Sequence, residues 1–237
     1  MKRKSIFATE AAMCTAFCDW AKKQGWTPYP ETAGWDVLLV AADGTQIGVQ
    51  AKLQFTVKLL AQCLHSSWYD ACAGVGPDFR AVLLPGFKGD HEAILQTLGL
   101  MQFHCYGTTA APMFSPAIGG GHDSWHYWNP AQREKLPAYV PDVQPGASGP
   151  VQLTEWKIAA LRVSALLDIR GYVTRADFKR ERIDPRRWML GTETSKWLLP
   201  GAVSGQFVRG PGLRFAEQHP VVFAQIRSEL EAEGAST

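Results

Sequence analysis

Cysteine is scarce in this sequence and does not come in pairs. There are five, Cys14, Cys18, Cys63, Cys72 and Cys105, an odd number with no Cys-x-x-Cys among them. That speaks against a disulfide framework and for a reducing, cytoplasmic setting. Cys14 and Cys18 lie one helical turn apart and read as two small buried hydrophobes rather than a metal pair. Long apolar runs are missing too. Met1-Lys2-Arg3-Lys4 imitates the basic start of a signal peptide, but Glu10 interrupts the apolar stretch that would have to follow. No run approaches the length of a membrane span, so the expectation is a protein neither exported nor membrane-bound. No Gly-x-Ser-x-Gly, Walker loop or dinucleotide glycine pattern occurs, so nucleotide hydrolysis and hydride transfer have no support. An excess of one charge sign is also lacking: the net charge is +2, too little to argue for a nucleic-acid partner.

What is present fits a folded chain. Its 237 residues are 46% hydrophobic and 19% charged, and nine are tryptophan. That is enough for one large domain or two small ones, with aromatic packing or stacking surfaces prominent. The charge is unevenly distributed. Residues 1–150 carry eleven Lys and Arg against twelve Asp and Glu, and residues 151–237 carry thirteen against ten. Within 170–196 the tally is eight against four, the kind of local excess that phosphate contact needs and that a solvated helix face also produces.

Periodicity predicts an amphipathic helix over 8–24, with Thr9 as N-cap and Gly25 as terminator. Residues 35–41 and 46–52 read as a β-hairpin around Asp43-Gly44. A helix over 55–73, a strand over 80–84, a helix over 90–101 and a strand over 103–106 follow. That order describes a mixed α/β layer fold. Residues 107–150 change character, with Gly119 to Gly121 in succession. By Pro137, Pro141, Pro145 and Pro150 they resemble an extended linker. Beyond it, helices are expected over 153–169, 175–182 (capped by Thr174) and from Asp184-Pro185 onward. A small hairpin over 197–208 and a last helix over 220–233 complete a pattern of three helices and a wing.

The hairpin carries the chemistry. Side chains two apart on a strand share a face, so Gln50 and Lys52 are expected to point together, with Asp36 on the paired strand beside them. A carboxylate, an amide oxygen and an ammonium at one open end would suit a hard cation with a lysine next to the attacking water. Gly34-Trp35-Asp36 followed by Gly48-Val49-Gln50-Ala51-Lys52 resembles the PD-(D/E)xK, restriction-endonuclease-like nuclease superfamily in its Mrr-like Gln-x-Lys form, over about residues 5–106. The resemblance implies a mixed-sheet core ordered αβββαβ in residues 1–135, a linker over 136–150 and a small winged helix-turn-helix domain over 151–237. It further implies a Mg²⁺-dependent deoxyribonuclease of the restriction-endonuclease-like kind, cutting within or from the ends of DNA, with Mn²⁺ as a substitute. Asp36, Gln50 and the carbonyl of Ala51 would ligate the metal, Lys52 would orient the water, Glu10 would support the metal, and Gln62 would touch substrate. By analogy, cleavage of a duplex by two sites implies a homodimer. The sequence departs from the family pattern in two places. Glutamine replaces the usual acid at position 50, and tryptophan replaces the proline before Asp36.

Lys58 is a candidate for the DNA groove or an ordinary solvated residue. In the C-terminal region Arg175, Lys179, Arg180, Arg182, Arg186 and Arg187 cluster on the second and third predicted helices, where a helix-turn-helix meets DNA; winged helices also dock proteins. His122, Asp123 and His126 sit among Trp125, Tyr127 and Trp128. Zinc would want three or four ligands, with only His104 or Cys105 in reach, so packing of these aromatics onto the core is preferred. Stacking of single-stranded bases on them is the remaining alternative. Two rivals to the nuclease stand: a nuclease-fold protein with a weakened site that binds nucleic acid or acts as an adaptor, and a module that only recruits or inhibits a protein partner.

Overall fold

The computed structural model describes residues 6–64, 74–108, 110–118, 125–146 and 152–235. The fold is mixed α/β. The chain divides into two compact units, Met1–Leu136 with Gln144–Pro150, and Pro137–Val143 with Val151–Thr237.

The first unit is built on a six-stranded mixed sheet in the order β1-β2-β3-β4-β5-β6. Helix α1 (Glu10–Lys23) begins where the Thr9 hydroxyl accepts from the N–H of Ala12. The strands β1 (Thr27–Thr32), β2 (Trp35–Val40) and β3 (Gln46–Ala51) are consecutive and antiparallel. Helix α2 (Val57–Leu64) precedes β4 (Phe79–Leu84), which runs parallel to β3. Helix α3 (Gly89–Thr97) leads to β5 (Met101–Thr108), parallel to β4, and β6 (Ala111–Ser115) returns antiparallel.

Residue patterning alone picks out neither β1, which supplies the first of the three strands in the αβββαβ order, nor β6, and both are edges. Pro28 and Pro30 argue against a central strand because each lacks a ladder donor. An edge tolerates this, since one side of the strand needs no partner. The turn between β1 and β2 places Ala33 (φ 54°) and Gly34 (φ 82°) between paired Thr32 and Trp35. Both residues are left-handed, as a hairpin of this length prefers, and Ala33 gives no signal of it. Helix α3 ends earlier than its apolar spacing suggests. Gly99 adopts φ 67° and breaks the helix, which moves Met101 into β5.

Alternation along the sheet sorts the core. Ile47, Val49 and Ala51 of β3 face α1 and pack with Met13, Phe17, Val37, Leu39, Leu83 and Phe103. The opposite face packs Val82 and Leu84 against Leu59 and Cys63 of α2 and Leu95. On that face Gly48 is obligatory for space: a Cβ there would lie 2.4 Å from the Trp35 ring. The segment 125–136 packs onto this unit. Trp125 meets Phe79 and Phe103 edge-on, Trp128 stacks 4.2 Å from the Arg80 guanidinium, and Gln46 exchanges two hydrogen bonds with the Glu134 backbone. The described part of the Trp-rich loop is thus aromatic packing on the core; His122 and Asp123 lie outside the described residues.

In the second unit, α4 (Glu155–Arg170) is capped by Thr154 and closed by left-handed Gly171. It leads through β7 (Val173–Thr174) to α5 (Arg175–Arg180) and α6 (Arg186–Met189). The strands β8 (Leu198–Pro200) and β9 (Gln206–Arg209) complete a sheet ordered β7-β9-β8, followed by α7 (Phe215–Gln218) and α8 (Pro220–Ala235). Its core is aromatic, with Trp188 ringed by Phe178, Trp197 and Phe215 at centroid distances of 5.1–5.6 Å. Asp177 pairs with Arg170 and accepts from the N–H and hydroxyl of Thr174, fixing the start of α5.

Of the stretch expected to be an extended linker, Pro137–Val143 groups with the second unit and residues 144–146 with the first. Asp142 supplies the reason. Its carboxylate bonds His219 Nδ1 at 2.9 Å and accepts from the N–H groups of Val221 and Val222 at 2.7 and 3.2 Å, capping α8. Asp142→Ala is therefore expected to destabilise the second unit by about 2–3 kcal/mol, through a lost cap and a stranded buried imidazole. A thermal melt of the full chain followed by tryptophan fluorescence checks this.

Candidate active site

The site lies where two paired strands part. The β2–β3 ladder ends at Val37↔Val49, while β3 continues to Ala51 against Leu83 of β4. The edge of β3 beyond Val49 is thus left without main-chain partners from β2. Side-chain and turn atoms take their place. Asp36 Oδ2 accepts from the N–H of Ala51 at 2.7 Å, and Gln50 Nε2 donates to the Gly34 carbonyl at 2.7 Å.

Lys52 follows β3 directly. Its N–H donates to Leu83 O, and its ammonium reaches Glu10 Oε2 at 2.7 Å. The other Glu10 oxygen accepts from the N–H of Leu53 at 3.4 Å. Glu10 is the first residue of α1, so the helix start is pinned to the exit of β3.

Of the residues expected to converge, Asp36, Lys52 and Glu10 do so. Gln50 is engaged through its amide nitrogen by the β1–β2 turn. Alternation places it on the face opposite Ala51, whose side chain is in the α1 core, and its amide nitrogen is committed to the turn carbonyl. That fixes the amide orientation and turns Oε1 away from Gly34. Gln62 on α2 has a buried Oε1 with no hydrogen-bond partner among the described residues, and Lys58 is exposed on the same helix.

Glu31 was not foreseen. It occupies β1 with a left-handed φ of 48°, and its Oε1 accepts from the N–H of Gly146 at 2.7 Å. Its carboxyl lies in the field of both Asp36 and Lys52. Only a sequence signal for the kinked edge strand would have pointed to it, and the two prolines concealed that strand.

Three carboxylates, Glu10, Glu31 and Asp36, therefore share one ammonium. Burial pushes the Asp36 carboxyl above its ordinary range; the Ala51 N–H and Lys52 pull the other way, and Glu10 adds to the rise. Burial likewise raises Glu31, with Asp36 adding to it. Burial alone would lower Lys52, but the Glu10 hydrogen bond and the charge of Asp36 hold it above its usual value. Cys14, fully buried beneath the group, has its thiol pushed far up by burial and by Asp36. A spot with this sign of charge repels a bare phosphodiester and attracts a cation.

Oxygen donors of this type suit Mg²⁺ or Mn²⁺. Among the described residues, however, no group of three His, Cys, Asp or Glu is arranged to hold a metal ion. Glu10 is engaged by Lys52, and Gln50 brings no charge. The donor chemistry fits a hard divalent ion, while the cage is not preformed. Mg²⁺ tolerates this, because it keeps several waters and commonly binds through one or two carboxylates plus substrate phosphates.

On the second unit, Arg175, Lys179, Arg182, Arg186 and Arg187 are exposed and form no ion pair with a described residue. Arg180 differs, pairing with Asp177 and Glu181 at 3.4 and 3.5 Å. No helix among the described residues is long and apolar enough to cross a membrane.

The burial of Asp36 has a pH signature. A carboxyl whose folded pKa exceeds its unfolded value binds its proton more tightly when folded. Stability is then greatest below the ordinary value of 3.8 and falls as pH rises through the folded pKa. Asp36→Asn keeps an acceptor for Ala51 and removes this penalty. It is expected to melt higher than wild type at neutral pH and to lose that advantage near pH 3, as read by paired melts across the range. Compared with known proteins, the chain matches no family model, no curated protein and no solved structure.

Proposed function

We propose that the protein is a metal-dependent nuclease acting on DNA, with the second unit supplying affinity. The reading rests on one observation: Asp36, Glu10 and Lys52 meet where β2 and β3 part, as the resemblance to the PD-(D/E)xK superfamily implies. In its support, the first six elements run helix, three strands, helix, strand, with β3 and β4 parallel. The second unit combines five helices, α4 to α8, with a three-stranded sheet that contains the β8–β9 hairpin, parts from which a winged helix could be built.

In this reading Asp36 and the Ala51 carbonyl would hold a Mg²⁺ or Mn²⁺ ion, with Gln50 Oε1 as a weaker neutral ligand. The ion would supply charge stabilisation at the phosphate and an acidified water. Lys52 would position that water and offset phosphate charge, and Glu10 would set the place of Lys52. Arg175, Lys179, Arg182, Arg186 and Arg187 would lie on DNA phosphates, with Gln62 and Lys58 as further contacts. A homodimer and a cytoplasmic location go with the reading by analogy.

A second reading has its own observation. Gln50 replaces an acid and is tied to Gly34, and Lys52 is spent on Glu10. That favours a nuclease-fold protein that binds nucleic acid with a weakened site.

Cleavage of single- and double-stranded DNA with Mg²⁺ and Mn²⁺ separates the two. Wild type should cut at least one form, and Asp36→Ala or Lys52→Ala should lose at least about a hundredfold. Binding should weaken with salt, and replacing Arg186 and Arg187 together should lower the slope by about two. Binding without cleavage sinks the nuclease and leaves the second reading; no binding to any nucleic acid sinks both.

A further inference from the structure

Directly after the segment anchored by Asp142, residues 144–146 lie against the acidic group of the first unit. Pro145 is buried. The Gly146 N–H donates to Glu31 Oε1 at 2.7 Å. A Cβ on Gly146 would stand 3.0 Å from Cys14 Sγ, 3.4 Å from the Glu10 carbonyl carbon and 3.5 Å from the Ala11 nitrogen. The strap backbone thus rests on the first turn of α1, beside the residue that clamps Lys52, and holds a third carboxylate of the site by one N–H.

Position 146 is restricted twice over. Its φ of 70° disfavours any side chain, and a Cβ would crowd Cys14 Sγ at 3.0 Å, so that one of the two must shift. By contrast, the hold on Glu31 among the described residues is one charge-assisted hydrogen bond, with a main-chain donor that water or a cation can replace. Residues 144–146 are thus held by packing of Pro145 and Gly146 and by one polar contact to the site, none of it part of the sheet's own hydrogen-bond ladder.

We infer that residues 144–146 are a removable strap over the Glu10–Glu31–Asp36–Lys52 group, and that the closed strap restricts access to it. The inference concerns regulation of the site under Proposed function, and its inhibitory part rests on that reading. Covering itself does not. Lifting the strap frees the Glu31 carboxylate and exposes Cys14 Sγ, while Cys18, one turn further along α1, stays beneath the helix.

That difference supplies the test. Full-length wild type, Gly146→Val and Glu31→Ala are treated with a maleimide in the native state, and labelling at each cysteine is followed by peptide mass spectrometry. Near-ultraviolet circular dichroism confirms that each variant is folded. Both variants are expected to label at Cys14 at least tenfold faster than wild type, with Cys18 unchanged. A Cys14 rate equal to that of wild type in both folded variants overturns the strap. So does a parallel rise at Cys18, which means the helix frays instead. DNA cleavage with Mn²⁺ is measured on the same samples. Faster cleavage by Gly146→Val supports inhibition, and equal cleavage with Cys14 exposed overturns it. Cleavage by neither protein, with Cys14 exposed, refutes the nuclease reading and leaves the cover standing.

Discussion

One carboxylate at a strand fork organises the first unit. Where β2 stops pairing with β3, the Ala51 N–H would be left without an acceptor, and a buried unpaired donor costs about 1–3 kcal/mol. Asp36 satisfies it from the side. This draws a negative charge into a half-buried position, and the charge must be balanced. Lys52, placed next by the chain, leans toward it and is fixed by Glu10 at the start of α1. The local geometry of a sheet that splits and the polarity of the site are therefore one problem with one solution.

The arrangement carries a cost that a purely structural site would avoid. Raised carboxyl pKa values at Asp36 and Glu31 mean that folding works against their charges. Perturbed carboxylates collected at the open end of a strand pair are a recurrent mark of functional positions. The sign of the group gives the chemistry: three acids and one ammonium hold a hard cation better than they hold an anion.

Much of this was legible in the sequence where local rules decide. Asp43-Gly44 marked the hairpin, and the β3 alternation of Ile47, Val49 and Ala51 against Gln50 was correct. Thr9, Gly25 and Gly171 bracket helices as their capping chemistry requires. The parts that stayed hidden depend on tertiary context. Pro28 and Pro30 mask β1 because a sequence pattern does not reveal which strand will be an edge. Glu31 joins the site only because β1 kinks into a left-handed residue. Gln50 and Lys52, two apart, were expected to act together. The partners each one takes, the Gly34 carbonyl for Gln50 and Glu10 for Lys52, come from the β1–β2 turn and from α1, which spacing along β3 does not reveal. Pro141 and Pro145 read as a linker, yet Asp142 finds a helix start to cap and Gly146 a carboxylate to bind.

The central claim is that the Asp36 group takes a hard divalent cation. Electron paramagnetic resonance of free Mn²⁺ in titrations of the full-length protein measures this without any substrate. The account predicts one saturable Mn²⁺ per chain in wild type, displaced by excess Mg²⁺ and abolished by Asp36→Ala. Mn²⁺ that stays free throughout, or that binds equally well after Asp36 is removed, contradicts it.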